Sequence, residues 1–308
     1  MAKEKLTLLR EPTDFGDRQY PSANVNITNA CNLNCPHCFV FREENPSSPK
    51  DKMDDRNMLH QLRILRDKHG IRHVLLMGGE PMIVKDLMFE AAKLFDSYSI
   101  VTNGTYGIPS CPDHLVTVSL DGPERPNDAI RGEGVFQKVR DAVFARDPAD
   151  GTTVMLQMTV TRQNHEGMEE FIETVKDWPI NGVAFTFYVP RRDDQTGLAW
   201  EDLRDRDDVV KRLMEIKRKN PGVVKTNIGA LELMLSDRCH EITENCTFVT
   251  AGVNFADTLP LYMGKGGRFE RTYCCYGNDV DCSTCGTYGL FNAAYKPQRQ
   301  ASQEVLSD

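Results

Sequence analysis

Apolar and polar residues alternate through residues 23–28 (Ala-Asn-Val-Asn-Ile-Thr), the period of a half-buried strand. Met58, Leu62 and Leu65 then recur at helical spacing over residues 54–69, and Gly70 closes that run. A short apolar stretch at 73–77 ends in Gly78-Gly79-Glu80-Pro81, after which residues 82–95 are again helical in period. The alternation continues with strands at 98–102, 115–120, 153–161 and 183–189 and helices at 135–146 and 168–176. Six strands joined by crossovers predict an α/β fold, a partial (β/α)6 barrel of parallel strands, with too few strands for the closed eight-strand barrel. In such folds ligands lie at the carboxyl ends of the strands. Beyond Pro190 the pattern weakens to a charged helix near 206–219, the turn Asn220-Pro221-Gly222 and a short helix near 230–235. The expected organisation is a leader at 1–21, a core at 22–192, a small cysteine-bearing appendage at 193–290 and a flexible tail at 291–308.

Composition narrows the class. The 308 residues are 40% hydrophobic and 27% charged, enough for one large core plus an appendage. No run approaches the length of a membrane span, and the first residues carry Lys3, Glu4, Lys5, Arg10 and Glu11 without an apolar segment, so a cytoplasmic protein is expected. Lys plus Arg at 37 against Asp plus Glu at 45 gives a net charge of -8, which disfavours a nucleic-acid partner. Ten cysteines in a reducing compartment point to metal or redox chemistry in place of disulfides.

Cys31-Asn-Leu-Asn-Cys35-Pro-His-Cys38 places three thiols on one loop directly after the first predicted strand. Structural zinc takes four protein ligands, whereas an iron-sulfur cluster held by three cysteines keeps one iron open to a small molecule. The loop by itself leaves zinc with His37, an iron-sulfur cluster and an unmetallated loop all open. Gly78-Gly79-Glu80-Pro81, at the end of the second strand, adds a segment where backbone approaches closely and a carboxylate supplies negative charge; a plain turn is its simpler reading.

Taken together, Cys-x3-Cys-x2-Cys after the first strand and Gly-Gly-Glu-Pro after the second resemble the radical S-adenosylmethionine superfamily over about residues 22–190. Thr102-Asn103-Gly104, Ser119-Leu120-Asp121-Gly122, Arg131-Gly132 and Thr161-Arg162 match further pieces at later strand ends. The resemblance implies that Cys31, Cys35 and Cys38 hold a 4Fe-4S cluster and that Gly78, Gly79 and Glu80 bind the methionyl ammonium of S-adenosylmethionine. It also implies that Asn103 and Arg162 flank the cofactor, that Ser119 or Asp121 approaches its ribose, and that His37, at a position usually aromatic, lies near the adenine. The implied reaction is one-electron reductive cleavage to a 5'-deoxyadenosyl radical, with an electron donor such as flavodoxin or ferredoxin.

Toward the carboxyl end, Cys274, Cys275, Cys282 and Cys285 form a second group. Adjacent residues of an extended chain point to opposite sides, so Cys274 and Cys275 do not both face one metal. Cys275, Cys282 and Cys285, with Cys246 or Cys239 as a fourth, suit an auxiliary iron-sulfur cluster, a structural zinc or thiols packed near the site; Cys111 reads as a buried small residue. The segment resembles both SPASM or twitch appendages and the short ends of adenosylhopane synthase-like enzymes. The expected function is a radical enzyme acting on a small-molecule, lipid or nucleoside-type substrate by C-C bond formation, with a peptide-modifying or dehydrogenating enzyme as the alternative and a non-catalytic metal-binding protein as a third reading. Tyr188, Arg191 and Arg192, after the sixth strand, are candidates for clamping a substrate anion or are simply a solvated linker.

Overall fold

The computed structural model describes residues 9–38, 53–244, 258–264, 266–271 and 280–295. In chain order the elements are β1 (Ser22–Thr28), α1 (Asp55–His69), β2 (His73–Gly78), α2 (Lys85–Ala92), β3 (Ser97–Thr102), β4 (Leu115–Ser119), α3 (Glu124–Arg131), α4 (Val135–Ala145), β5 (Thr153–Val160), α5 (Met168–Val175), β6 (Gly182–Phe187), α6 (Leu203–Lys219), α7 (Ile228–Glu232), α8 (Cys239–Thr243), β7 (Thr258–Gly264) and β8 (Arg268–Arg271). The six strands read from the sequence are β1 to β6. The predicted α/β class is present, with mainly parallel strands wound in chain order as in a partial (β/α)6 barrel. No helix among the described residues is long and apolar enough to cross a membrane.

These residues fall into two compact units: one within Met1–Asn32, Phe39–Thr102 and Asp257–Gly277, the other within Leu33–Cys38, Asn103–Ala256 and Asn278–Asp308. In the first, β1 pairs in parallel with both β2 and β7, β2 pairs with β3, and β7 turns back on β8. Asp54 starts α1 by accepting from Asn57 N, and Gly70 ends it in the left-handed conformation. The buried face of α1 carries Met58, Leu62 and Leu65, but also Asn57 and Gln61. Those two amides explain the strand pair that hydrophobic periodicity missed. Both donate to Gly267 O, at 2.8 and 2.9 Å, and Gln61 Oε1 accepts from Phe269 N, so α1 fastens the β7–β8 turn through side-chain hydrogen bonds.

In the second unit β4, β5 and β6 are parallel, with α4 and α5 presenting Val139, Val143, Phe171 and Ile172 as buried apolar faces. Cys111 is fully buried, as expected of a small core residue. Helix α3 has no counterpart among the predicted elements: Pro126 stands in its first turn, where a missing N–H breaks no helical bond. Residues 291–295, expected in a flexible tail, belong instead to a helical run over 288–295 that buries Phe291 and Ala294. The rest of that expected tail lies outside the described residues.

Candidate active site

At the end of β2 the first unit brings two backbones unusually close. Gly79 N donates to Thr28 O at 2.6 Å and Glu80 N to Ala30 O at 2.8 Å, tying Gly78-Gly79-Glu80 to the segment that leads from β1 into the cysteines. A Cβ on Gly79 would sit 2.1 Å from Ala30 O, and Gly78 has φ +153 with Thr28 O 2.2 Å from its virtual Cβ. The glycines therefore serve this packing directly, whatever else they approach. Gly79→Ala is expected to push the strand ends apart and destabilise the protein by about 1–3 kcal/mol; an unfolding midpoint equal to the parent's would contradict the close approach.

Glu80 is fully buried. Its Oε1 accepts from Met82 N at 2.9 Å and from Thr102 Oγ1 at 2.7 Å, so this carboxylate caps the 3-10 turn Pro81–Val84 and anchors it to the end of β3. Next in the chain, Asn103 Oδ1 accepts from the backbone N and hydroxyl of Thr105, shaping the turn that follows β3.

In the second unit the Cys35–Cys38 turn closes with Cys38 N donating to Cys35 O at 3.0 Å, and between these cysteines His37 reaches Asp121. His37 Nε2 lies 2.7 Å from Asp121 Oδ2, while Nδ1 is buried without a hydrogen-bond partner among the described residues. Arg131 Nε forms an ion pair with the same Oδ2 at 2.8 Å, although its N–H is not aligned as a hydrogen bond. Asp121 Oδ1 accepts from Thr159 N, its backbone N donates to Asn127 Oδ1, and its carbonyl accepts from Asn164 Nδ2. Burial pushes the Asp121 carboxyl upward, but the charge of Arg131 and then His37 outweigh it and hold the group well below the ordinary carboxylate range. The Arg131 guanidinium, disfavoured by burial, is kept charged by Asp121 and is also within electrostatic reach of Cys35 and Cys38.

This network redistributes the residues singled out from sequence. Asp121, expected beside a ribose, commits both oxygens to protein partners, whereas Ser119 is half-buried at the end of β4. Arg162 is exposed and pairs with exposed Glu201 at 3.3 Å. Arg191 pairs with Asp193 at 3.1 Å, and Tyr188 donates to Asp194. Sequence reasoning noticed Arg131 only as part of a motif, and passed over Asn127 and Asp128. Asn127, Asp128 and Arg131 lie on α3, where Asp128 also caps α4 by accepting from Gly134 N and Phe136 N. The available signal was a polar Asn-Asp-x-x-Arg run at helical spacing.

Among the second group of cysteines, Cys282 is half-buried at the start of the 3-10 turn Cys282–Thr284 and Cys285 is buried just after it; α8, with buried Cys239, packs against that turn. Cys246, Cys274 and Cys275 lie outside the described residues.

Cys31, Cys35 and Cys38 are half-buried, and none is in a disulfide. Among the described residues no three His, Cys, Asp or Glu side chains are gathered tightly enough to hold an ion. The donor chemistry nonetheless fits an iron-sulfur centre: three soft thiols close together in the chain, two of them within electrostatic reach of the cationic Arg131. A hard cation would need oxygen donors instead.

Residues 25–177 match the family model of the Radical SAM superfamily. The chain is 25% identical to the sporulation killing factor maturation protein SkfB of Bacillus subtilis over 177 residues, 54% of this chain and 41% of that protein. It is 26% identical to the GTP 3',8-cyclase of Limosilactobacillus fermentum over 191 residues, 58% of this chain and 57% of that protein. The chain thus matches only about half the length of these relatives. The crystal structure of Streptococcus suis SuiB bound to S-adenosylmethionine superposes with a TM-score of 0.56 at 16% identity, covering 79% of this chain and 58% of that one; at such identity the likeness is one of fold.

Proposed function

We propose, from the premise that this chain carries a radical SAM domain and belongs to that superfamily, that it is an enzyme that reductively cleaves S-adenosylmethionine with Cys31, Cys35 and Cys38 holding a 4Fe-4S cluster. The observation that carries the reading is the Cys35–Cys38 segment, with His37 held by Asp121 and Arg131 in one unit, and Gly78-Gly79-Glu80 bonded to the end of β1 in the other. When bound, the cluster and the sulfonium cofactor supply one-electron chemistry that yields a carbon radical. The chain's own residues do the positioning. Asp121 and Arg131 fix the His37 ring, which we assign to stack near the cofactor's adenine. Glu80 holds the Gly-Gly turn through Met82 N and Thr102, so the backbone presented to the methionyl group is rigid. Ser119 is the strand-end hydroxyl we assign to the ribose, with Asn103 and Arg162 flanking.

For the substrate we infer a small molecule of nucleoside or lipid-precursor type, with C-C bond formation as the outcome. The support is that this chain matches a larger share of the GTP 3',8-cyclase than of SkfB. A peptide substrate is the second reading, favoured by the name of SkfB and by the cysteine-bearing end, which resembles SPASM or twitch segments. Either reading takes an electron donor of the flavodoxin or ferredoxin class and a reducing, cytoplasmic setting. Cys275, Cys282, Cys285 and Cys246 are assigned to a second metal centre, an auxiliary iron-sulfur cluster ahead of zinc.

The test is anaerobic reconstitution followed by dithionite and S-adenosylmethionine. Iron uptake with formation of 5'-deoxyadenosine is expected, and a fully iron-loaded chain that forms none would leave a non-catalytic metal protein. Mass spectrometry of cell extract treated with the enzyme then separates the substrate classes: a metabolite that gains an adenosyl unit or forms a new ring supports the first, and mass changes confined to peptides overturn it.

A further inference from the structure

Strands β4, β5 and β6 have two unlike faces. Phe171 of α5 meets Phe185 of β6 edge to face at 6.4 Å, and Val118 of β4 and Val139 of α4 lie 2.8 and 3.3 Å from the point where Gly104 would carry a Cβ. The helices therefore cover the face that bears Val118 and Phe185. Register partners in a parallel sheet point the same way, so Leu156, Met158 and Val183 share that face, and all five side chains are fully buried.

The opposite face has a different chemistry. Ser119, Gln157 and Ala184 form one register row across the three strands, and Thr117, Met155 and Gly182 form the row before it. No residue of β4, β5 or β6 is charged. Ser119 and Gln157 are half-buried, and the Gln157 amide and the hydroxyls of Ser119 and Thr117 make no hydrogen bond among the described residues. A primary amide offers two donors and two acceptor lone pairs. Any ligand that covers this row must replace the water on those groups. A prenyl or acyl chain strips that water without returning a hydrogen bond, which opposes its binding. A phosphate finds no cation on these strands. A nucleobase edge sets a donor beside an acceptor, the pattern that a glutamine amide meets with two hydrogen bonds. Met155, in the preceding row, offers a polarisable surface to a ring, and Ala184 leaves room beside Gln157.

We propose that Gln157 recognises the base of a nucleoside-type substrate. The inference rests on the substrate reading given above and narrows it from the nucleoside or lipid-precursor type to the first. Ser119, assigned to the cofactor's ribose, is the register partner of Gln157, one strand spacing or about 4.8 Å away, so the base adjoins the cofactor.

Equilibrium dialysis tests it on full-length protein reconstituted with iron and sulfide. The medium is anaerobic, without reductant, and holds saturating S-adenosylmethionine, so that adenosine does not report the cofactor's own site. The probes are adenosine, guanosine, cytidine and uridine, with farnesol and a capped tripeptide as contrasts. The parent is expected to retain at least one nucleoside and neither contrast. Gln157→Leu, which keeps the bulk without the hydrogen bonds, should bind that nucleoside about tenfold or more weakly. Its affinity for S-adenosylmethionine alone should change by less than about twofold. Parental nucleoside affinity in this variant overturns the proposal. So does an equal loss of nucleoside and cofactor affinity, which would put Gln157 in the cofactor's site. If Gln157→Leu does not fold, Gln157→Glu decides, because it loses the amide donor: weaker nucleoside binding supports the role and parental binding overturns it. A parent that retains no nucleoside also overturns it, and the contrasts then show what stands in its place: farnesol the lipid form of the small-molecule reading, the tripeptide a peptide substrate. Dithionite-driven formation of 5'-deoxyadenosine by the parent keeps the two levels apart. Its absence removes the radical reading itself, whereas its presence without nucleoside binding removes only the role of Gln157.

Discussion

Replacing Cys31, Cys35 and Cys38 together by Ala is expected to abolish 5'-deoxyadenosine formation and to remove the iron held by that loop. The loop follows β1 in the chain, and its one imidazole, His37, is already occupied with Asp121. No other sulfur ligand of that segment is present, so the variant has nothing with which to hold iron against competing thiols. Glu80→Gln makes the contrast. It removes a charge from a buried cap but keeps an oxygen for Met82 N and Thr102, so it should weaken cofactor binding while leaving iron content near the parent's. Iron counting together with product analysis reads both variants. Parental cofactor cleavage by the triple-Ala protein would show that the cluster is held elsewhere.

The second large effect is on stability. Asp121→Asn leaves the Arg131 guanidinium buried beside an amide, and removal of one partner from a buried ion pair costs about 3–5 kcal/mol. Denaturant unfolding measures the loss, and a change below about 1 kcal/mol would mean that the pair is solvated in solution. Arg131→Met added to Asp121→Asn should recover part of it, because the uncompensated charge is then gone. The pH dependence follows from the direction of the Asp121 shift. A carboxyl lower in the folded than in the unfolded state contributes fully above its ordinary value of 3.8 and loses that contribution as pH falls below it. The gap between parent and Asp121→Asn should therefore narrow as pH falls below that value.

What neighbouring residues determine among themselves is legible in the amino-acid sequence alone. Strand and helix periods are local properties of this kind, so β1 to β6, α1 and α4 stand close to their predicted bounds. The three cysteines and the Gly-Gly-Glu-Pro turn are equally plain, because chemistry carried by residue type and spacing needs no partner to be seen. Long-range partners decided the rest. Thr258–Gly264 lies beside Ser22–Thr28 through pairing across more than two hundred residues, and its anchor is a pair of amides on α1 that look surface-exposed in the sequence. Asp121 is read from its motif as a ligand contact, but the fold surrounds it with His37, Arg131, Thr159 and Asn127, and that enclosure makes it a strut. Arg206 resembles any charged residue at the start of a solvated helix until the 282–285 segment covers it. Burial of a polar side chain depends on what packs over it, and in each of these cases the covering segment comes from a distant part of the chain.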